Sequence, residues 1–433
     1  MSRSGLTSVG SRAAPDPTGG VRRSRRPGGA RRVKSPGGRT RIAFYSHDTV
    51  GLGHARRNLV IARILAAPPV AANALVIAGS TEAHVFPRPR GVDCLTLPAI
   101  SKGRAGYHSR SLRMSLDEVV RLRSRTIHTA LESFEADLLV VDKVPCGAIG
   151  ELVPALREVR RGGGTLCVLG LRDVLDEPAV VCREWDALRY EEAIGEFYDA
   201  VWVYGDANVY DVVREYRLSP DVAKKIHYVG YFDRREPEEV GEATPRHRLL
   251  EQLREEPFVL CTVGGGQDGA ALARAFAVTR LPEGVHGVIL SGPFMPGEAR
   301  RALYRACARN PRLHLVGVSS DPTQLLRRAA RVISMGGYNT VSELVSFEKP
   351  ALVVPRVSPR REQLIRAERF RQLGLVDVCL PDELSAERLE AWVAGPAPRP
   401  SRSRIDLGGR DRVQELALEL LPPVESDRPL VAS

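Results

Sequence analysis

The chain reads as an α/β protein built from two tandem, doubly wound Rossmann-like domains with a cleft between them. Three observations carry this reading. From Arg41 onward, short apolar runs alternate with longer helical patterns, as in a parallel sheet flanked by helices. The alternation breaks once, over the Glu-, Pro- and Gly-rich stretch 236–246, and then starts afresh. At 433 residues the chain is long enough for two or three separately cored domains.

Residues 1–40 are rich in Gly, Pro, Ser and Arg and read as a disordered basic tail, because they cannot bury enough apolar surface to fold. The first domain spans 41–235, with strands expected at 41–46, 74–78, 94–97, 138–141, 165–169, 200–204 and 226–229. Helical patterns lie between them, among others at 55–65, 117–134 and 149–160. Ser115, with Glu118 three residues on, reads as a capping box for the second of these. The stretch 101–111 places Lys102, Arg104, His108 and Arg110 among glycine and serine, and reads as a mobile loop or a disordered insertion. After the linker at 236–246, the second domain spans 247–400, with strands at 258–263, 286–291, 313–316, 331–334, 351–354 and 376–379. Helices at 269–278, 297–308, 322–329, 362–373 and 385–393 separate them. A last helix at 410–420 falls in the C-terminal tail, 401–433.

Composition narrows the class. A hydrophobic content of 43% with 27% charged residues suits a globular chain with ordinary cores. Cys94, Cys146, Cys167, Cys182, Cys261, Cys307 and Cys379 form no CxxC pair, which argues for reduced thiols in a cytoplasm and against a zinc ribbon or a disulfide scaffold. No run of 18 apolar residues occurs, so no transmembrane helix is expected. The net charge of +11 suggests nucleic acid or membrane until it is located. Residues 1–40 hold nine Arg and one Lys against one Asp, and the rest of the chain nets +2. No specific nucleic-acid partner is therefore expected. The tail lacks the apolar core of a secretory signal, and peripheral contact with an anionic membrane face stays open.

Open α/β sheets bind ligands beyond the carboxyl ends of their strands, and four constellations fall there. The first is Met335-Gly336-Gly337-Tyr338-Asn339-Thr340-Val341-Ser342-Glu343. Its glycines let the backbone approach a ligand, and the N–H groups of the following helix offer donors to an anion. With the helix starting at Thr340, Glu343 falls in the first turn, placed to accept from the vicinal hydroxyls of a ribose. An ordinary turn and helix cap is the competing account. The second constellation, His47-Asp48-Thr49-Val50-Gly51-Leu52-Gly53-His54, follows the first strand, and its His54 suits a general base or a structural imidazole. Asp142, ending the run 138–141, either orients that imidazole or caps a helix and pairs with Lys143. The third is Gly264-Gly265-Gly266, a further strand-to-helix turn suited to a phosphate or sugar. It is neither a GxGxxG fingerprint nor a P-loop. In the fourth, Arg360-Arg361-Glu362-Gln363, the last two are placed to bind sugar hydroxyls or to form a solvated first turn.

Taken together, GLGH after the first strand, GGG opening the second domain, SGPF at 291–294, MGGYNTVSE, PALVVP and REQLIRA resemble a GT-B glycosyltransferase. The resemblance is to the bacterial glycosyltransferases related to family 28, a group that includes the lipid II N-acetylglucosaminyltransferase. It covers about 41–393 and is most specific over 331–370. It implies that Glu343 binds the ribose of a nucleotide sugar and that Gly336, Gly337, Tyr338, Asn339 and Thr340 hold its diphosphate. Glu362 and Gln363 read the donor sugar, Gly264, Gly265 and Gly266 close over the phosphates, and Ser291 and Gly292 belong to the same donor side. His54 is the base, with Asp142 as its orienter, and Gly51 and Gly53 shape an acceptor-side loop. The family's run of glycines before the histidine is replaced here by HDTVGLGH, so the acceptor-side segment departs from the peptidoglycan enzyme.

The implied activity is inverting transfer from a UDP-sugar to an acceptor hydroxyl, without a cofactor. A metal is not expected, since no DxD pair stands on a strand end. The first domain is then the acceptor side, the second the donor side, and the last helix returns to the first. Two alternatives stand beside this expectation. One is a nucleotide-sugar epimerase on the same scaffold, and the other is a non-catalytic nucleotide-sugar-binding protein.

Overall fold

The computed structural model describes residues 39–47, 53–79, 88–103, 106–235, 247–317, 319, 322–396 and 398–421. The tail at 1–38, the expected linker at 236–246 and Gly51 lie outside the described residues.

The first half holds β1 (Arg41–Ser46), β2 (Asn73–Ala78), β3 (Val92–Thr96), β4 (Ile100–Gly103), β5 (Gly106–Ser109), β6 (Leu138–Asp142), β7 (Leu166–Arg172), β8 (Ala200–Tyr204) and β9 (Ile226–Tyr228). The second holds β10 (Phe258–Thr262), β11 (His286–Leu290), β12 (Leu313–Val316), β13 (Arg331–Ser334), β14 (Ala351–Val353) and β15 (Asp377–Val378). Seven strands form one sheet in the order β3-β2-β1-β6-β7-β8-β9, and six form another in the order β12-β11-β10-β13-β14-β15. Every pairing in both is parallel. The central strands β6, β8 and β10 are buried along their whole length, because helices cover both faces.

The strand orders locate the site. In the first sheet the chain steps outward from β1 to β3 and then returns to pair β6 beside β1. In the second it steps from β10 to β12 and returns with β13 beside β10. Each reversal leaves a crevice at the strand ends. His54 and Asp142 follow the β1/β6 crevice, and the two glycine turns, 264–266 and 336–337, follow the β10/β13 crevice.

Three departures from the sequence reading have physical reasons. Part of 101–111 is a two-stranded antiparallel hairpin, β4 with β5, whose short strands carry too few apolar residues to signal a sheet. The helix expected from Ile149 starts at Val153, because Gly147 and Gly150 take positive φ and Pro154 sets the first helical turn. The helix after β13 starts at Tyr338 instead of Thr340, with Gly337 at its N-cap, so Glu343 lies in its second turn. The Ser115 capping box forms, with Glu118 N–H donating to Ser115 Oγ and Ser115 N–H to the Glu118 carboxylate. All seven cysteines are free thiols, and among the described residues no helix is long and apolar enough to cross a membrane.

The halves are pinned together by charge. Helix Glu362–Gln372 presents Arg366 to Asp173 in a fully buried pair, Nη2 to Oδ1 at 2.7 Å and Nε to Oδ2 at 2.8 Å. Tyr231 also donates to Asp173, and Arg366 donates to the Gly336 carbonyl. Satisfying these partners offsets the cost of taking two ions out of water. Arg360 pairs with Asp176 and Glu184, and Arg369 with Glu215, across the same boundary. The last described helix, Gly409–Leu420, packs on helix Gly53–Ala66 of the first half, where the Gln414 amide donates to the carbonyls of Ile64 and Pro68.

Candidate functional site

A cavity of about 270 Å³ lies between the two crevices. Gly53, His54, Arg56, Arg57 and Arg172 line it from the first half, and Gly264, Gly265, Gly292, Gly337, Tyr338, Asn339, Thr340 and Glu343 from the second. Leu260, Leu290, Pro293, Pro322 and Leu326 give it an apolar portion suited to a planar ring.

The first wall is made of ionisable side chains. Tyr45 of β1 is level with Val141 of β6, so Asp142 ends its strand beside the turn that leads to His54. His54 Nδ1 lies in hydrogen-bond contact with Asp142 Oδ2, and Arg57 Nη2 donates to Asp142 Oδ1. The carboxylate requires Nδ1 to carry the proton, which leaves the Nε2 lone pair free. Arg57 Nη2, 3.2 Å from Nδ1, then makes a contact there and not a hydrogen bond. Burial pushes His54 down to about 4, against the pull of Asp142 and with Arg57 and Lys143 adding to the fall. The imidazole is therefore neutral at pH 7. Burial acts to raise Asp142, but Arg57 and His54 outweigh it and hold the carboxyl well below its ordinary range. His47, its ring 5.1 Å from that of His54, is also kept neutral by burial.

The second wall combines glycine turns and a helix N-terminus with apolar side chains. Gly264 takes φ +60 with open space where a Cβ would stand, and Gly337 also faces open space. Gly266 and Gly292 are glycine for another reason. A Cβ on Gly266 would meet Ser291 O at 2.1 Å, and one on Gly292 would meet Gly264 O at 2.2 Å, so each lets the two turns interlock. Gly336 packs against Gln363, whose carbonyl would lie 3.1 Å from an added Cβ.

Glu343 is 3% exposed and receives Arg56 Nη2 at 2.5 Å on Oε1, with Arg234 Nη2 3.9 Å from the same oxygen, and among the described residues nothing donates to Oε2. Tyr338 stacks on Tyr231 and separates Arg57 from Arg366, each about 5.6–5.7 Å from its ring.

The cavity thus brings together His54, Gly53, Gly264, Gly265, Gly292, Gly337, Tyr338, Asn339, Thr340 and Glu343, with Asp142 directly behind His54. Gly266, Ser291, Gly336, Glu362 and Gln363 do not line it. Ser291 is fully buried and its hydroxyl faces the Val316 carbonyl. Glu362 Oε1 holds Arg356 at 2.5 Å, and Gln363 Oε1 accepts from the Arg356 N–H, so this pair fastens the preceding loop. Glu362 Oε2 is buried without a partner. Among the described residues no cluster of His, Cys, Asp and Glu has the makings of a metal site.

Sequence reasoning missed Arg56, Arg57 and Arg172, although each leaves a signal. Two arginines in the first turn of a helix oppose its dipole, which asks for another reason to be there. Arg172 ends an otherwise apolar strand.

Residues 262–399 match the glycosyltransferase family 28 C-terminal domain, which spans the whole second wall. A UDP-N-acetylglucosamine–N-acetylmuramyl-(pentapeptide) pyrophosphoryl-undecaprenol N-acetylglucosamine transferase of Geobacillus kaustophilus is 33% identical over 78 residues, 18% of this chain and 22% of the relative. The chain thus matches less than a quarter of that curated relative's length. Among solved structures, the glycotransferase of kitacinnamycin superposes with a TM-score of 0.55 at 16% identity, over 89% of this chain and 100% of that one. A putative UDP-N-acetylglucosamine 2-epimerase from Listeria monocytogenes gives 0.55 at 11% identity, over 89% and 98%. The two-domain architecture is therefore that of the GT-B fold, which transferases and epimerases share.

Proposed function

We propose that the chain transfers a sugar from a nucleoside-diphosphate sugar to an acceptor hydroxyl, with inversion at the anomeric carbon. The observation that supports it most is a neutral imidazole, backed by Asp142, facing a glycine-lined helix N-terminus and Glu343 across one cavity. The choice of UDP as nucleotide follows the donor named for the Geobacillus transferase.

The acceptor hydroxyl gives its proton to His54 Nε2 as its oxygen bonds to the anomeric carbon. The bond from that carbon to the diphosphate oxygen breaks, and the electron pair leaves with UDP. Asp142 stabilises the imidazolium, which offsets the weak basicity that burial imposes on His54. Backbone N–H groups at 338–340 and in the turn at 264–266 meet the charge growing on the diphosphate, the part a divalent ion takes in other transferases. The Glu343 carboxylate accepts from the ribose hydroxyls, with Oε2 available and Oε1 shared with Arg56.

Calorimetric titration with UDP and UDP-sugars tests the reading, and a wild-type protein that binds none of them overturns it. Glu343→Ala is expected to weaken UDP binding by about 10- to 100-fold, the range for hydrogen bonds to a charged group. Unchanged affinity removes Glu343 from the ribose. Product analysis separates transfer, which frees UDP, from epimerisation, which leaves an altered sugar on the nucleotide.

A further inference from the structure

Two cations of the first half, one lining the cavity and one beside it, have no work in this mechanism. Arg172 ends β7, and Lys143 follows Asp142 at the end of the neighbouring strand β6. The Arg172 guanidinium lines the cavity, and its Nε is buried with no hydrogen-bond partner. Among the described residues neither side chain donates a hydrogen bond or joins an ion pair. The other cations around them are matched, Arg57 by Asp142, Arg360 by Asp176 and Glu184, and Arg366 by Asp173. The carboxylate that acts most on Arg172, Glu362, gives its Oε1 to Arg356, and among the described residues it makes no hydrogen bond to Arg172. Burial, together with the repulsion of Arg172 and Arg360, pushes Lys143 down to about 7. Two neighbouring cations, offset by nearby carboxylates but hydrogen-bonded to none of them, are costly when partly buried, and an arriving anion relieves both the desolvation and the repulsion.

We propose that Arg172 and Lys143 form a subsite for an oxyanion, phosphate or carboxylate, carried by the acceptor beside the hydroxyl that faces His54. This rests on the transferase reading and narrows its unidentified acceptor to an acidic one. The donor's diphosphate is the other source of such a group, but it has its own cradle of backbone N–H groups on the opposite wall. Lys143 and Arg172 instead stand at the ends of β6 and β7, next to Asp142, which backs the base. The planar guanidinium suits two oxygens of one anion, with the ammonium as a point charge beside it.

The test uses the full-length protein, saturated with UDP and titrated with inorganic phosphate. Wild type is expected to bind phosphate on top of UDP. Arg172→Gln and Lys143→Gln are each expected to weaken it by about tenfold or more, and Arg172→Lys by less. UDP affinity, equal in all four proteins, reports that the variants are folded and that the donor wall is intact. Loss of UDP affinity in Arg172→Gln, with a melting temperature like wild type, assigns the cations to the donor diphosphate and overturns the proposal. Phosphate binding that is absent in wild type, or equal in every variant, overturns it as well. Failure of the transferase reading shows separately, as a wild-type protein that does not bind UDP.

Discussion

The two walls of the cavity are built from different materials. The first half contributes charged side chains, His54, Arg56, Arg57 and Arg172, backed by Asp142. The second contributes glycine turns and a helix N-terminus, with one carboxylate, Glu343. A wall of backbone N–H groups binds one kind of group, a diphosphate, whatever sugar it carries. A wall of side chains can be rewritten residue by residue. Under the proposed transfer, chemistry and acceptor choice fall to the first half and donor binding to the second.

The largest test of that division is His54→Ala. Turnover is expected to fall by about 10²- to 10⁴-fold, the usual worth of a general base, while UDP affinity stays as in wild type. A parallel loss of UDP affinity would merge the two walls into one. A smaller effect separates two glycines within the donor wall. Gly336→Ala crowds Gln363 and is expected to cost about 1–3 kcal/mol in urea denaturation, with little change in the UDP affinity of the folded protein. Gly337→Ala meets only Thr340 Oγ1, at an unstrained 4.0 Å, and is expected to leave stability unchanged while weakening UDP roughly tenfold. The reverse outcome would make Gly337 a packing residue and Gly336 the ligand-facing one. The smallest effect is in pH. With His54 held at about 4, roughly a tenth of it is protonated at pH 5, so loss of the base is expected to lower kcat/KM by only about a tenth between pH 7 and pH 5, with any rise over that range belonging to the charging of Lys143. An acid limb near the ordinary histidine value of about 6.5 would show that the cavity does not keep the imidazole dry.

The same contrast explains what the sequence made legible. The donor wall is local, with Gly264 two residues after β10 and Gly337 three after β13, so glycine between a strand and a helix announces it. The first wall is assembled by sheet order, and nothing across the 88-residue separation of His54 and Asp142 states that β6 returns beside β1. Asp142 was visible as a carboxylate at a strand end, but Arg57, which binds its other oxygen, looked like any surface arginine. The pair Glu362 and Gln363 shows how contacts within the protein add to what the sequence suggests. A polar pair at a helix start suggested sugar binding, yet in this structure both side chains hold Arg356. The capping box at Ser115 was legible because all its atoms lie within four residues.

The docking of helix Gly409–Leu420 on helix Gly53–Ala66 bears on synthesis. As the chain leaves the ribosome, the strands of the first sheet emerge well before Gln414, whose amide occupies the carbonyls of Ile64 and Pro68. Domains generally fold in order of emergence, but here the helix that carries His54 waits for its buttress until every strand of the second sheet has been made. A ribosome that stops within the second half therefore releases a first half whose His54 helix still lacks that support.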